Sequence, residues 1–259
     1  MVRRQVPPEF QQIMPLTEVV KVLIITTVSI WFVGNVVVEQ YLLSEPRITM
    51  FFALTPLSLV RDFYIWQPVT YLFVHSPNPM HIIFNLLLLW WLGSELERLW
   101  GGRFFTLFYF VSGVGAGLLY CLGAFIYALV STRSEVMIGL STPVIGASSA
   151  IFGLMVAYGM VFGERVVYFM FFFPMKSKYF VAILGAIEVV LILNNGLVQG
   201  KVANLAHVCG LVSGYVFLKV WPYFGGGRSG TTKKPKSRKL KLVVNNEEFT
   251  ENEKPKYWN

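Results

Sequence analysis

Apolar residues run along this chain in long blocks, separated by short polar or proline-containing stretches. Crossing the hydrocarbon core takes ~20 apolar residues in a helix. Six stretches approach that length, at about 19–40, 80–98, 104–130, 146–163, 178–197 and 203–222. Each is predicted to be a membrane-spanning helix. Pro79 and Pro143 stand near the starts of two of them, where a proline is tolerated. Gly101 and Gly102 follow the second, where they suit a helix end. The first run begins near Val19 and has no well-placed small-residue cleavage site, so it is expected to remain as a helix.

Residues 41–79 are too interrupted to span, with Pro46, Pro56, Pro68, Pro77 and Pro79 among them. They are nonetheless rich in Phe, Leu, Trp and Tyr, as in Trp66-Gln67-Pro68-Val69-Thr70-Tyr71. A long ordered loop lying partly in the membrane interface is expected. The apolar run from Val166 to Phe173 is too short to cross a bilayer. It reads as a strand-like or interfacial turn before Pro174.

Composition agrees with this pattern. The 259 residues are 55% hydrophobic and only 14% charged, with a mean hydropathy of +0.58. That places the chain among integral membrane proteins and excludes an ordinary soluble domain. Its abundant Phe, Tyr and Trp suit lipid-facing helices and bilayer interfaces. Cys121 and Cys209 sit inside apolar runs and read as small hydrophobes, with no disulfide framework. The net charge of +8 is concentrated at the end of the chain. Residues 226–259 hold nine Lys or Arg against four Glu. Three regions are therefore expected: an N-terminal segment 1–18, a membrane domain 19–225, and a basic, disordered tail 226–259. The tail reads as solvated and suited to anionic lipid head groups. No nucleic-acid partner is expected, because no fold accompanies the charge.

Basic residues also set the topology. With six spans both termini share one side, which would hold Arg3, Arg4, Lys21, Arg98, Arg103, Arg165, Lys176, Lys178, Lys219 and the tail. The opposite side would hold only Arg47, Arg61, Arg133 and Lys201. Both termini are accordingly expected in the cytoplasm. The short loops suit a bacterial plasma membrane. Ser148 near the start of span four, His207 early in span six and His81 early in span two then fall at one depth, near the outer face.

Polar and ionisable groups inside a membrane are costly and mark functional candidates. A serine hydroxyl becomes a useful nucleophile when a histidine takes its proton, at a contact of ~3 Å. Two helices allow that only if their backbones approach closely. Ser149 and Gly153 are four apart on span four, and Gly210 and Gly214 are four apart on span six. His207 lies three before Gly210, on the same face. The spacing permits a close crossing that brings His207 to Ser148, and it equally permits plain small-residue packing around a buried histidine. His81 and Asn85, four apart on one face of span two, offer N–H donors for a developing oxyanion, as does the Ser148 backbone N–H. Asn85 also fits a bond to a neighbouring helix. His75 lies in the preceding loop, where a structural role is favoured. Glu188 is a lone acid in span five; a partnered or interfacial carboxyl is favoured over a proton relay.

No zinc motif is present, and three histidines with two separated cysteines give no metal cluster. No cofactor is expected. No aspartate pair supports an aspartyl protease.

Taken together these residues resemble the rhomboid family of intramembrane serine proteases, over about Trp66 to Trp221. His75 with His81-Ile82-Ile83-Phe84-Asn85 is similar to the family's second-helix pattern. Gly146-Ala147-Ser148-Ser149 resembles the Gly-x-Ser-Gly signature, and Ala206-His207-Val208-Cys209-Gly210 with Gly214 resembles the sixth-helix pattern. Glu97-Arg98-Leu99-Trp100-Gly101 is similar to the cytoplasmic helix-end motif. The resemblance implies an all-α, six-transmembrane-helix bundle around a water-filled cavity open to the outer side, with 41–79 as a membrane-embedded first loop. It implies a catalytic dyad of Ser148 (nucleophile) and His207 (general base) with no required aspartate. It implies oxyanion stabilisation by His81, Asn85 and the Ser148 N–H, and a span five that moves for substrate access. Ser149 departs from the family, which usually has Gly there.

The function expected is an endopeptidase that cuts single-span membrane protein substrates in the lipid bilayer through an acyl-enzyme. The alternative is a non-catalytic rhomboid-fold protein that binds or escorts membrane clients. A solute transporter is disfavoured because no inverted repeat is visible. Oligomeric state is left open.

Overall fold

The computed structural model describes residues 16–43, 45–130, 137, 139–169, 173–195 and 202–224. The tail 226–259 and most of the N-terminal segment 1–18 lie outside the described residues. The chain is a helical membrane protein. Helix α1, Glu18–Ile30, passes without a break into wider π-type turns at Trp31–Leu43, giving one apolar run of 26 residues. Its opening N–H groups have no carbonyl one turn earlier in the helix. The buried carboxylate of Glu97 supplies acceptors in their place. It takes bonds from the Val19 and Val20 N–H groups, both at 3.0 Å, and from the Thr17 hydroxyl. Negative charge at a helix N-terminus is also favoured by the dipole.

The interrupted region carries three short helices: α2 (Arg47–Phe52), α3 (Pro56–Arg61) and α4 (Gln67–Thr70). Polar side chains fasten them to one another. Gln67 Oε1 accepts from the Thr55 N–H (3.1 Å), Trp66 Nε1 donates to the Phe51 carbonyl (3.0 Å), and Thr70 donates to the Phe52 carbonyl (2.8 Å). Glu39, buried near the end of the first run, accepts from the Thr49 hydroxyl (2.7 Å) and from the Thr49 N–H, binding α2 to that run.

Asn78 caps the next helix by accepting from the Met80 N–H, and Pro79 occupies its first turn. Helix α5 (Pro79–Leu88), a π-type turn (Leu89–Gly93) and α6 (Ser94–Trp100) form one run of 22 residues. Gly101, at φ +79°, ends it and starts α7, Gly102–Ala128. Helix α7 presents small buried residues to its neighbours. A Cβ on Gly113 would lie 2.7 Å from Leu72 Cδ1, and one on Gly117 would lie 2.8 Å from Leu54 Cδ2. The first loop therefore packs directly on this face, and the Tyr71 hydroxyl donates to the Gly113 carbonyl (2.7 Å).

Helix α8 covers Ser148–Val161. Where a span over 146–163 is expected, the helix has only 14 residues, about 21 Å in length. It starts late because residues 142–147 are held as irregular chain. Leu54 and Val144 exchange backbone hydrogen bonds at 2.9 and 2.8 Å, and the Gly146 N–H donates to the Tyr71 carbonyl at 2.9 Å. Such backbone is tolerated where protein surrounds it and satisfies its polar groups. By length and composition, five of the described runs can cross a membrane, and α8 is a shorter apolar helix.

Strands β1 (Val166–Phe169) and β2 (Phe173–Lys176) pair antiparallel, a small hairpin within an otherwise helical fold. Helix α9, Ser177–Asn195, is lightly covered: 6% of its spanning window is buried, against 50% for α7. Helix α10, Val202–Val220, packs against α7, α8 and α9. The expected spans 178–197 and 203–222 thus agree with these helices to within two residues. Helices α8 and α10 cross at near-backbone distance. A Cβ on Gly214 would lie 2.8 Å from Gly153 Cα, and one on Gly210 would overlap the Ser149 carbonyl. Cys121 and Cys209 are buried free thiols.

Candidate active site

The site forms where the irregular chain enters α8. Gly146 lies at φ +112°, a region L-residues seldom adopt. A Cβ there would also be tight against His81, 3.0 Å from its Nε2, and in ordinary contact with Ser148 Oγ at 3.7 Å. The His81 ring and the Ser148 hydroxyl therefore border the same small space over Gly146.

His75 holds this chain in place. Its Nε2 accepts from the Ala147 N–H (3.4 Å), while Nδ1 lies 3.3 Å from the Phe73 carbonyl. That pattern requires the neutral ring, protonated on Nδ1. Burial, helped by the neighbouring His81, pushes its pKa down to about 4. The His75 and His81 rings lie 5.2 Å apart. The Ser76 N–H donates to His81 Nδ1 at 3.3 Å, which leaves the His81 Nε2–H as donor over Gly146.

Ser148 is the first residue of α8. His207 Nε2 on α10 lies 2.8 Å from its Oγ, a good O–H···N distance. The Phe152 ring, one turn along α8, stacks on the imidazole at 4.4 Å between centroids and 11° between planes. Ser149 is buried, and its backbone lies against Gly210. Asn85 is less directly placed. Its Nδ2 donates to the His81 carbonyl one turn back (2.7 Å), and the amide is buried. Of the residues expected at the site, Ser148, His207 and His81 thus lie together. Asn85 stands one turn behind His81.

Phe152 was not foreseen at the site, and Glu188 was expected to be partnered without its partner being identified. Phe152 carries no chemistry that a sequence would flag. Glu188 on α9 reads as a lone acid, yet its Oε1 lies 3.0 Å from His207 Nδ1 and its Oε2 accepts from Asn204 Nδ2 at 2.8 Å. The signal was the cost of a solitary carboxyl inside an apolar helix, which demands a partner on an adjacent one. Among the described residues no group of three or more His, Cys, Asp or Glu could hold a metal.

A multi-pass helical membrane protein with a serine and a histidine joined across a close helix crossing is one class of molecule. Comparison with known proteins gives the class its family. The Rhomboid domain family matches residues 62–223, and the chain belongs to the rhomboid family. It is similar to the rhomboid protease GluP of Bacillus subtilis (strain 168), with 26% identity over 161 residues. That match takes in 61% of this chain but only 26% of the relative's length.

Proposed function

We propose that this chain is an intramembrane serine endopeptidase. The observation that carries the reading is the 2.8 Å contact between Ser148 Oγ and His207 Nε2. In this mechanism His207 Nε2 takes the Ser148 proton as Oγ attacks a substrate carbonyl carbon. The oxyanion that develops receives the His81 Nε2–H and the Ser148 backbone N–H, with Asn85 holding the His81 segment or adding a donor. Protonated His207 then gives its proton to the leaving amine, and an ester on Ser148 remains. Water, deprotonated by His207, hydrolyses that ester and returns the serine.

An intact substrate helix hides its amide carbonyls, so segments that unwind readily are the preferred substrates. The substrates we infer are single-span membrane proteins, and the basic residues support both termini of this enzyme in the cytoplasm with the site toward the outer face. The name of the Bacillus relative lends support to protease activity.

The test is direct. The full chain is reconstituted in vesicles with a generic single-span substrate and treated separately with a serine-directed fluorophosphonate. Wild type is expected to cleave and to be labelled on Ser148. Ser148→Ala and His207→Ala are expected to fold and do neither. Cleavage by Ser148→Ala at the wild-type rate, or an adduct on Ser149, overturns the reading.

A further inference from the structure

Glu188 is a titratable group beside the dyad that the serine–histidine chemistry does not use. It lies on the helix with the least protein around it, yet its side chain is only 13% exposed. Both carboxylate oxygens have partners on α10: His207 through Nδ1 at 3.0 Å and Asn204 through Nδ2 at 2.8 Å. Asn204 stands three residues before His207, so one face of α10 presents two donors to one carboxylate.

The geometry points to Glu188 as a positioning residue that completes a Ser148–His207–Glu188 line, resting on the reading of Ser148 and His207 given above. His207 can act as base only with its Nε2 lone pair directed at Ser148. A carboxylate 3.0 Å from Nδ1 fixes the other tautomeric site as N–H and sets the plane of the ring. Phe152, stacked on one face, restrains the same plane. When Nε2 accepts the serine proton, the imidazolium finds an anion already at its far side. The proton count is unchanged: Oγ loses one, Nε2 gains one, and Nδ1 keeps its own. The imidazole is thereby braced from α9 by Glu188 and from α8 by Phe152.

A purely structural carboxylate would join α9 to α10 without affecting the hydroxyl. Fluorophosphonate labelling of Ser148 separates the two roles, because it needs an activated serine but no docked peptide. In the reconstituted full chain, Glu188→Gln is expected to slow labelling at least ~10-fold and to lower kcat by a like factor, with KM within about threefold. Loss of the corresponding carboxylate in a soluble serine protease costs about 10⁴ in kcat. Glu188→Asp keeps the charge and is expected to label faster than Glu188→Gln. A smaller slowing in Glu188→Gln, no advantage of Asp over Gln, or a loss confined to KM overturns the proposal.

Should Glu188→Gln fail to fold, ¹⁵N-histidine spectra of the wild type decide. The proton is expected on His207 Nδ1, and an Nε2–H tautomer in the resting enzyme overturns the line. If Ser148→Ala still cleaves, the serine mechanism itself has failed. If Ser148→Ala is dead and Glu188→Gln labels normally, only the role of Glu188 is lost.

Discussion

Gly210→Ala tests whether the helix crossing is what brings base to nucleophile. A Cβ on Gly210 would lie 2.9 Å from the Ser149 carbonyl carbon and overlap the oxygen beyond it. Carbon atoms in ordinary contact are ~3.5 Å apart or more. The carbon alone therefore forces α8 and α10 apart by at least ~0.6 Å, and relieving the oxygen takes this to about 1 Å. No flexible side chain can absorb the shift, since both obstructing atoms are backbone. His207 is three residues from Gly210, and its Nε2–Oγ distance is 2.8 Å. Adding about 1 Å leaves no hydrogen bond. Misplacement on that scale costs about 10²-fold in rate, and overpacking costs about 1–3 kcal/mol of stability. The assay is fluorophosphonate labelling in vesicles beside a thermal melt, with Gly34→Ala as control, where a Cβ meets only Ile48 Cγ2 at 3.7 Å. The control is expected to label as wild type. Gly210→Ala that folds and labels within about threefold of wild type refutes the argument.

Other outcomes follow from the same geometry. Ser149→Gly removes a buried hydroxymethyl group but keeps the backbone contact with Gly210, and is expected to keep or raise the labelling rate. Ser149→Leu, overpacking a buried site beside the crossing, is expected to lose it. His81→Ala removes the donor over Gly146, and peptide cleavage is expected to fall by ~10²–10³ in kcat with little change in KM. Asn85→Ala, one turn further back, is expected to cost ~10² or less. His75 gives a pH dependence of stability. It remains neutral down to a pKa of about 4 in the folded protein, against 6.5 when unfolded. The unfolded chain therefore gains a proton that the fold refuses, so stability is retained above 6.5 and falls as pH drops from there toward 4. The difference amounts to about 3 kcal/mol. Melting points of wild type and His75→Gln across that range check it, and an equal slope in both would remove His75 as the cause.

Much of the architecture was legible because the membrane demands long apolar runs, and α1, α7, α9 and α10 follow the hydropathy closely. The small-residue spacing also carried spatial information: Ser149 meets Gly210 and Gly153 meets Gly214 at the crossing. Hydropathy placed α8 to within two residues but did not show why its first turn starts late, after hydrogen bonds of Val144 and Gly146 to residues of the first loop. An ordered first loop was expected, but not the means of its order, in which the Gln67 side chain accepts from the Thr55 N–H and Trp66 donates to the Phe51 carbonyl. Glu188 was expected to be a partnered or interfacial carboxyl, and it is partnered, but the sequence did not say by which residues. Its partners lie 16 and 19 residues onward on another helix, and a single chain does not announce which helices touch.

The carboxylate of Glu97 has a consequence for biosynthesis. It closes the N-terminus of α1 from a position 78 residues further along the chain. At about 5–20 residues per second, the ribosome makes the first helix some 4–16 s before its cap exists. During that interval the opening turn of α1 must find temporary partners, in solvent, lipid head groups or the insertion machinery. The helix is finished only when the second span arrives beside it. Assembly of the first two spans is thus coupled by one carboxylate, and a change at Glu97 should register first as slow or incomplete insertion in pulse-chase experiments, before any effect on a hydroxyl far along the chain.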